Sequence, residues 1–128
     1  MTQNYLGLRG IEFTEFASAD TDYMAQVFKA FGFSKTRQFK GKAIDYYNQH
    51  DIHFLLNRER TGFSAEFAKQ HGPAICSMGW RVDNAVEARR IAIEFAIPRG
   101  FGERDERFRG LSVHEHGFDV RAAKVDAD

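Results

Sequence analysis

The sequence has little of what marks secreted, membrane-spanning or nucleic-acid-binding proteins. Its 128 residues include one cysteine and two prolines, and 18 lysines and arginines balance 18 aspartates and glutamates. The single cysteine, Cys76, excludes an intrachain disulfide and a cysteine-rich zinc site. A formal charge of zero argues against a surface dedicated to nucleic acid or to anionic membranes, because such surfaces need a positive field. No apolar run approaches the roughly 20 residues that span a bilayer.

The first six residues have neither the basic region nor the apolar core of a secretory signal. A hydrophobic share of 43% together with zero net charge excludes intrinsic disorder. The length suits a single domain, residues 1–128. These observations predict a globular, cytoplasmic protein with no nucleic-acid or membrane partner.

Phenylalanine is abundant, with 13 copies in an aromatic content of 14%. A phenylalanine side chain buries a large area and has few rotamers, so it suits a sheet packed under helices. We therefore expect most of these rings in the core. Cys76 shares one face of its predicted strand with Met78, Trp80 and Val82, which indicates a buried and unreactive thiol.

Residues 8–57 predict a β-α-β-β-β unit. Apolar and polar residues alternate over 8–17, which is typical of a strand with one face in the core, and Ile11 and Phe13 are expected on that face. The stretch Ser18-Ala19-Asp20-Thr21 supplies short side-chain oxygens that are suited to cap a helix after the strand. Three further strands are predicted at residues 33–39, 43–48 and 52–57.

The β-α pattern starts again after a connector, residues 58–73, which holds a short predicted helix over 64–70. The two strand starts, Ile11 and Ile75, each precede a helix, so an internal duplication is indicated. Residues 74–123 form its second, divergent βαβββ unit. The predicted elements of this unit are a strand at 74–82, a helix at 85–95 and a hairpin at 111–116 and 118–123.

Four segments in succession carry a family resemblance. They are NYLGLRGIEFTEFAS (4–18), FGF (31–33), DIHFLLN (51–57) and FAKQHGP (67–73), the last followed by a strand that ends in WRV (80–82). In this order they resemble the N-terminal domain of bacterial 4-hydroxyphenylpyruvate dioxygenases. That family belongs to the vicinal-oxygen-chelate superfamily, with glyoxalase I and the bleomycin-resistance proteins. The similarity covers residues 4–97, and the charged segment that follows departs from the family pattern.

The resemblance implies an α+β fold in which two βαβββ units form a curved mixed sheet with helices on its convex side. In the family, two histidines and one glutamate of a separate C-terminal domain hold the catalytic Fe(II), and no residue of this chain matches them. The resemblance therefore implies a module without a cofactor. Apolar surface or an open strand edge left by a shortened second unit predicts a homodimer.

Strand alternation predicts which side chains line the concave face, where metal-dependent members of the superfamily bind their ion. If Ile11 and Phe13 face the helices, the intervening positions face the cleft. The expected cleft-lining residues are Glu12, Thr14, His53, Asn57, Ser77, Arg81 and His114.

Two kinds of chemistry are open to such a cleft. Glu12, His53 and His114 could supply three ligands for Fe(II) or another divalent metal. Ser77 stands where a histidine is expected in an iron-binding unit, and a neutral hydroxyl is a poor ligand. Arg81 suits an organic carboxylate, because its guanidinium binds two oxygens at once. The alternative is a solvated, hydrogen-bonded cleft without a metal.

Three hypotheses about function stay open. The first, which we favour, is a non-catalytic module for oligomer contacts or for binding a small aromatic or carboxylate ligand. The second is a metal-dependent enzyme with a dioxygenase or glyoxalase-like reaction on a 2-oxo acid or another vicinal-oxygen substrate. The third is a shortened or frameshifted remnant of a dioxygenase gene. Fold analogy does not choose among them, because function resides in sites carried by folds.

Overall fold

The computed structural model describes residues 3–96, 111–114 and 117–121, and these ranges contain seven strands and three helices. In chain order the elements are β1 (Leu8–Ala17), α1 (Thr21–Ala30), β2 (Ser34–Gln38), β3 (Ile44–Gln49), β4 (Ile52–Asn57), α2 (Phe63–His71), β5 (Ala74–Val82), α3 (Ala85–Ala96), β6 (Leu111–His114) and β7 (Gly117–Arg121). The α+β class is therefore confirmed. Among the described helices, none is long and apolar enough to cross a membrane.

Local chemistry starts and ends α1. The Asp20 carboxylate accepts a hydrogen bond from the backbone N–H of Tyr23 at 2.9 Å, which satisfies one of the free donors of the first turn. Beyond the last turn, Gly32 adopts a φ of +90°, a conformation that glycine takes without a steric penalty. The chain can therefore turn sharply from α1 into β2.

Backbone contacts divide the chain into two units, one of residues 13–77 and one of residues 1–12 with 78–128. Within residues 13–77 the strands are ordered β2-β3-β4-β1-β5. β4 runs parallel to β1 and antiparallel to β3, so the sheet is mixed. β2 lies at the edge, and its register with β3 shifts between Lys35 and Arg37.

An aromatic core joins α1 to one face of this sheet. The ring of Phe28, on α1, lies 5.0 Å from that of Phe16 and 5.2 Å from that of Tyr47. Phe33 stacks on Phe54 with 4.3 Å between the ring centroids. Edge-to-face and stacked pairs of this kind contribute beyond the area that they bury. Met24 and Leu56 complete the buried cluster.

The unit of residues 1–12 and 78–128 is built around a smaller set of described core side chains. Val82 and Ala88 are buried there, and Leu6, Trp80 and Ala85 pack against them. Its strands are ordered β1-β5-β7-β6, with β6 antiparallel to β7. α3 contacts both strands of that hairpin.

Most element boundaries agree with the sequence-based prediction. β1, β4 and β5 begin and end at the predicted residues, and α2 and α3 extend at most one residue beyond their predicted ends. The tail hairpin is present as β6 and β7, whereas the charged segment 97–110 lies outside the described residues. The second unit shows a β-α-β-β order over the described part of the chain, so a full βαβββ duplication stays a prediction.

The expected core face of β1 is wrong. Phe16 packs against Phe28 and Phe54, while Ile11 is 49% exposed and Phe13 is half-buried. Phe13 and Phe16 have opposite parity in the strand, so the sequence pattern allows either face to point inward. Packing against α1 selects the face that carries Phe16.

Candidate functional site

The face of the residue 13–77 sheet opposite α1 carries the polar side chains. In the parallel register of β1 with β4, Phe16 aligns with Leu56, and both belong to the aromatic core. Glu15 aligns with Leu55, and each of these residues comes one position before Phe16 or Leu56 in its strand. Because strand side chains alternate, Glu15, Leu55 and Asn57 lie on the opposite face. This face contains the candidate site.

A buried carboxyl group is the centre of this face. Glu15 is 7% exposed, and its Oε2 accepts hydrogen bonds from Ser77 Oγ at 2.7 Å and from Cys76 Sγ at 3.2 Å. Asn57 Nδ2 donates to Oε1 at 3.3 Å, and Ser64 Oγ lies 3.3 Å from Cys76 Sγ. We call Glu15, Asn57, Ser64, Cys76 and Ser77 the Glu15 cluster. It draws together β1, β4, α2 and β5.

The Glu15 cluster holds its thiol in the neutral form. Cys76 is fully buried and packs with Ala17 and Ala68, as the sequence pattern predicts. Burial raises the pKa of the Cys76 thiol to about 12, the hydrogen bond with Ser64 works against the rise, and the neighbouring Glu15 carboxylate adds to it. A thiol with such a pKa is almost entirely protonated near neutral pH, so it is not poised as a nucleophile.

A second polar pair lies on the same face, on β3 and β4. Tyr46 Oη forms a short hydrogen bond with Nδ1 of His53, and the two rings stack with centroids 5.6 Å apart. Asn48 stands directly opposite His53 in the antiparallel register. Its Oδ1 is buried and has no hydrogen-bond partner among the described residues. His53 therefore faces a tyrosine hydroxyl and an amide.

Two ion pairs of the other unit join residues that are far apart in the chain. Arg81 Nε donates to Glu12 Oε2 at 2.6 Å, and both side chains are partly exposed. Arg9 Nε and Asp83 Oδ1 are 2.7 Å apart, and this hydrogen bond lowers the pKa of the Asp83 carboxyl. Exposed pairs of this kind contribute little to stability. The pairing of Glu12 with Arg81 matters more for chemistry, because each was expected to bind a ligand.

The structure brings some of the expected site residues together and separates others. Asn57 and Ser77 meet through Glu15, and Glu12 meets Arg81. Thr14 aligns with Phe54, so it lies on the aromatic face, and its expected place beside His53 and Asn57 is wrong. The side chain of His114 lies outside the described residues. That the other six residues line one cleft stays a prediction.

Glu15 is the residue that sequence reasoning missed. It was missed because the alternation was started from Ile11 and Phe13, which assigned the even-numbered positions of β1 to the cleft. Phe16 indicated the opposite phase of alternation, because it is an aromatic residue near the end of the strand and has the same parity as Thr14. Counting both possible phases of the strand would have marked Glu15 as a polar residue inside the sheet.

The described donors do not fit an Fe(II) centre. Such a centre needs about three histidine nitrogens or carboxylates that face one point and leave coordination positions free. The carboxylate of Glu12 is bonded to an arginine, and Nδ1 of His53 is bonded to a tyrosine hydroxyl. Among the described residues, no three histidine, cysteine, aspartate or glutamate side chains are grouped so that they could hold a metal.

The architecture is that of the vicinal-oxygen-chelate superfamily. Methylmalonyl-CoA epimerase from Mycobacterium tuberculosis shares the fold with a TM-score of 0.55 at 18% identity, over 74% of this chain and 69% of that one. A xylose isomerase-like TIM barrel/4-hydroxyphenylpyruvate dioxygenase fusion protein matches with a TM-score of 0.64 at 30% identity, over 69% of this chain and 14% of that one.

The model of the family "Hydroxyphenylpyruvate dioxygenase, HPPD, N-terminal" matches residues 2–105, and the chain belongs to this family. Protein MelA of Shewanella colwelliana is 61% identical over 98 residues, which are 77% of this chain and 27% of the relative. A 4-hydroxyphenylpyruvate dioxygenase of Pseudomonas aeruginosa is 38% identical over 92 residues, 70% of this chain and 26% of the relative. The chain thus spans about a quarter of the length of the curated relatives that it matches.

Proposed function

We propose that this chain is a non-catalytic module that associates with a second copy of itself and holds no catalytic iron. The observation that carries the proposal is the state of the candidate ligands. Glu12 is committed to Arg81, His53 to Tyr46, and Ser77 to the buried Glu15. A metal or substrate that took Oε2 of Glu12, Nδ1 of His53 or Oγ of Ser77 would have to replace the hydrogen bond that this atom already makes.

The hydrogen bond between Arg81 and Glu12 also bears on ligand binding. Arg81 was the expected anchor for an organic carboxylate, and Glu12 already occupies its Nε at 2.6 Å. A carboxylate ligand would have to compete with a carboxylate that the fold holds in place, at a high effective concentration. A small aromatic or carboxylate ligand is therefore the less favoured role for this module.

The apolar surface supports self-association. Three of the exposed large hydrophobic residues fall within one short stretch at the start of the chain, namely Tyr5, Leu8 and Ile11, with exposures of 61%, 36% and 49%. Exposed apolar side chains that form one patch mark association surfaces, and these three residues lie within seven residues of chain. We propose that this stretch lies in the interface of a homodimer. A cytoplasmic location belongs to the proposal and is supported by the unpaired cysteine.

The metal part of the proposal is tested on tag-free protein by elemental analysis and by thermal unfolding with and without Fe(II). We expect substoichiometric iron and zinc, an unchanged melting temperature, and no oxygen uptake on 4-hydroxyphenylpyruvate with Fe(II) and ascorbate present. A full-length 4-hydroxyphenylpyruvate dioxygenase is the positive control. A stoichiometric ion that is lost in Glu12→Ala or His53→Ala would overturn the proposal and support a metal-dependent enzyme.

The dimer part is tested by light scattering over micromolar concentrations. Ile11→Asp should shift the equilibrium toward monomer, because it places a charge in an apolar interface. Ile52→Asp is the matched control: Ile52 is 52% exposed, close to the 49% of Ile11, but it lies in β4. A strict monomer at every concentration would refute self-association. An equal response of both variants would remove the assignment of the interface to the stretch from Tyr5 to Ile11.

A further inference from the structure

The chain has zero net charge, but its charged residues are unevenly distributed along the sequence. Residues 23–44 contain five of the 18 basic residues and none of the 18 acidic residues. The rest of the chain therefore carries a net negative charge. The basic residues of this stretch are Lys29, Lys35, Arg37, Lys40 and Lys42.

Most of these cations lie on the β2–β3 hairpin, at the edge of the residue 13–77 sheet. Every residue from 34 to 42 is exposed. The backbone N–H of Phe39 donates to the carbonyl of Ile44 at 2.9 Å and closes the tip, where Gly41 takes a φ of +79°. The ring of Phe39 is 47% exposed at this point. An aromatic side chain is thus presented outward beside the charges.

Most cations of this hairpin have no acidic partner in the part of the chain that the structure describes. Lys35 is paired with Asp45 at 3.1 Å, and the buried Asp45 carboxylate also accepts from Arg58. Arg37, Lys40 and Lys42 have no acidic partner among the described residues. We call Arg37, Phe39, Lys40 and Lys42 the hairpin tip. It joins three unpaired cations to one exposed ring.

We propose that the hairpin tip binds the surface of an anionic lipid bilayer, a partner that the net charge of the whole chain did not predict. The cations would contact phosphate and carboxylate groups of the lipids, and the ring of Phe39 would enter the boundary between headgroups and acyl chains. Each cation close to such a surface strengthens binding by about fivefold. An exposed aromatic ring adds apolar burial that a purely ionic contact lacks. The proposal is independent of the proposed role in self-association.

Other anionic partners fit the tip less well. An acidic peptide added as a strand to β2 would need an even ladder of backbone hydrogen bonds, and the register shift beside Lys35 and Arg37 interrupts that edge. Nucleic acid is bound by cations that follow many phosphates, whereas the basic residues here end with one hairpin in an otherwise acidic chain. A small basic tip is enough to bind a bilayer, because the lipid headgroups can surround the tip.

The test is co-sedimentation of the protein with vesicles of phosphatidylcholine, with and without phosphatidylserine. We expect binding only with phosphatidylserine, weakened by added salt. The double variant Lys40→Ala/Lys42→Ala should bind about 25-fold more weakly. Phe39→Ser should also bind more weakly and should keep the salt dependence of the wild type. All these positions are exposed, so thermal unfolding should be unchanged.

Matched variants separate the tip from general charge and general aromatic effects. Arg60→Ala/Lys69→Ala removes two exposed cations elsewhere, and Tyr23→Ser removes a ring that is 59% exposed on α1. Both should bind like the wild type. Absence of binding to phosphatidylserine vesicles, or an equal loss in the control variants, would overturn the proposal. Displacement of the protein from vesicles by poly-glutamate or by an oligonucleotide, at matched charge and salt, would assign the tip to that partner instead.

Discussion

The two faces of β1 and β4 within residues 13–77 have opposite chemistry although they alternate along the same strands. On one face Phe16 and Phe54 meet Phe28 of α1 in a dry aromatic core. On the other, the Glu15 cluster satisfies its polar atoms internally through Ser77 and Asn57. The first face is held by area removed from water, the second by hydrogen bonds that are costly to leave unmade.

The largest effect is expected from the aromatic face. Phe28→Ala should lower the free energy of unfolding by about 3–5 kcal/mol, because it leaves a cavity among rings packed on several sides. Phe31→Ala, three residues further along, is the control: Phe31 is 73% exposed and Phe28 only 3%. Urea unfolding followed by circular dichroism measures both. A similar loss in the two variants would show that the core does not centre on Phe28.

The polar face makes a chemical prediction about its thiol. Near pH 8 the native protein should react with a disulfide reagent about 10³-fold more slowly than the protein unfolded in guanidinium, since a pKa of about 12 against the ordinary 9.0 suppresses the thiolate by that factor. Burial of Cys76 slows the reaction further. The variant Cys76→Ser has no thiol and measures the background reaction of the reagent. Native labelling at the unfolded rate would contradict the closed cluster.

The raised pKa of the Cys76 thiol also determines the direction of a pH effect on stability. The folded state holds the neutral thiol, so its stabilising contribution is complete below the ordinary pKa of the thiol, 9.0. It is lost progressively as the pH rises toward the folded-state value of about 12, because the unfolded chain releases the proton first. Cys76→Ser removes this dependence, so the wild type should lose stability relative to the variant across this alkaline range.

A smaller effect is expected from a single hydrogen bond of the polar face. Ser77→Ala should cost about 1–3 kcal/mol, because it removes the donor that lies 2.7 Å from the buried carboxyl of Glu15. Glu12→Gln, which weakens the partly exposed pair with Arg81, should cost below about 1 kcal/mol. Ser34→Ala, on the exposed edge strand, serves as the neutral control. Equal costs for Ser77→Ala and Glu12→Gln would remove the distinction between a buried and an exposed polar contact.

Prediction from sequence succeeded where a local pattern has only one physical reading. The predicted capping stretch, residues 18–21, does start α1, and Asp20 is the residue in it that caps the helix, because a short carboxylate before an apolar run satisfies free amide groups of a first turn. Cys76 is buried as its apolar neighbours indicate. Prediction failed at Thr14, because Phe13 and Phe16 offered two phases of alternation and nothing local distinguished them.

The sequence by itself determined the order of the elements, the bounds of β1, β4 and β5, and membership of the family, since periodicity, capping residues and ordered motifs are local properties. The tertiary structure decided which face of β1 is buried, that Glu15 gathers Ser77, Cys76 and Asn57, and that Glu12 pairs with Arg81 across 69 residues of chain. These contacts depend on strand register and on packing against α1. The two possible phases of side-chain alternation in a strand have equal local free energy. Only packing in the assembled core lowers the free energy of one of them.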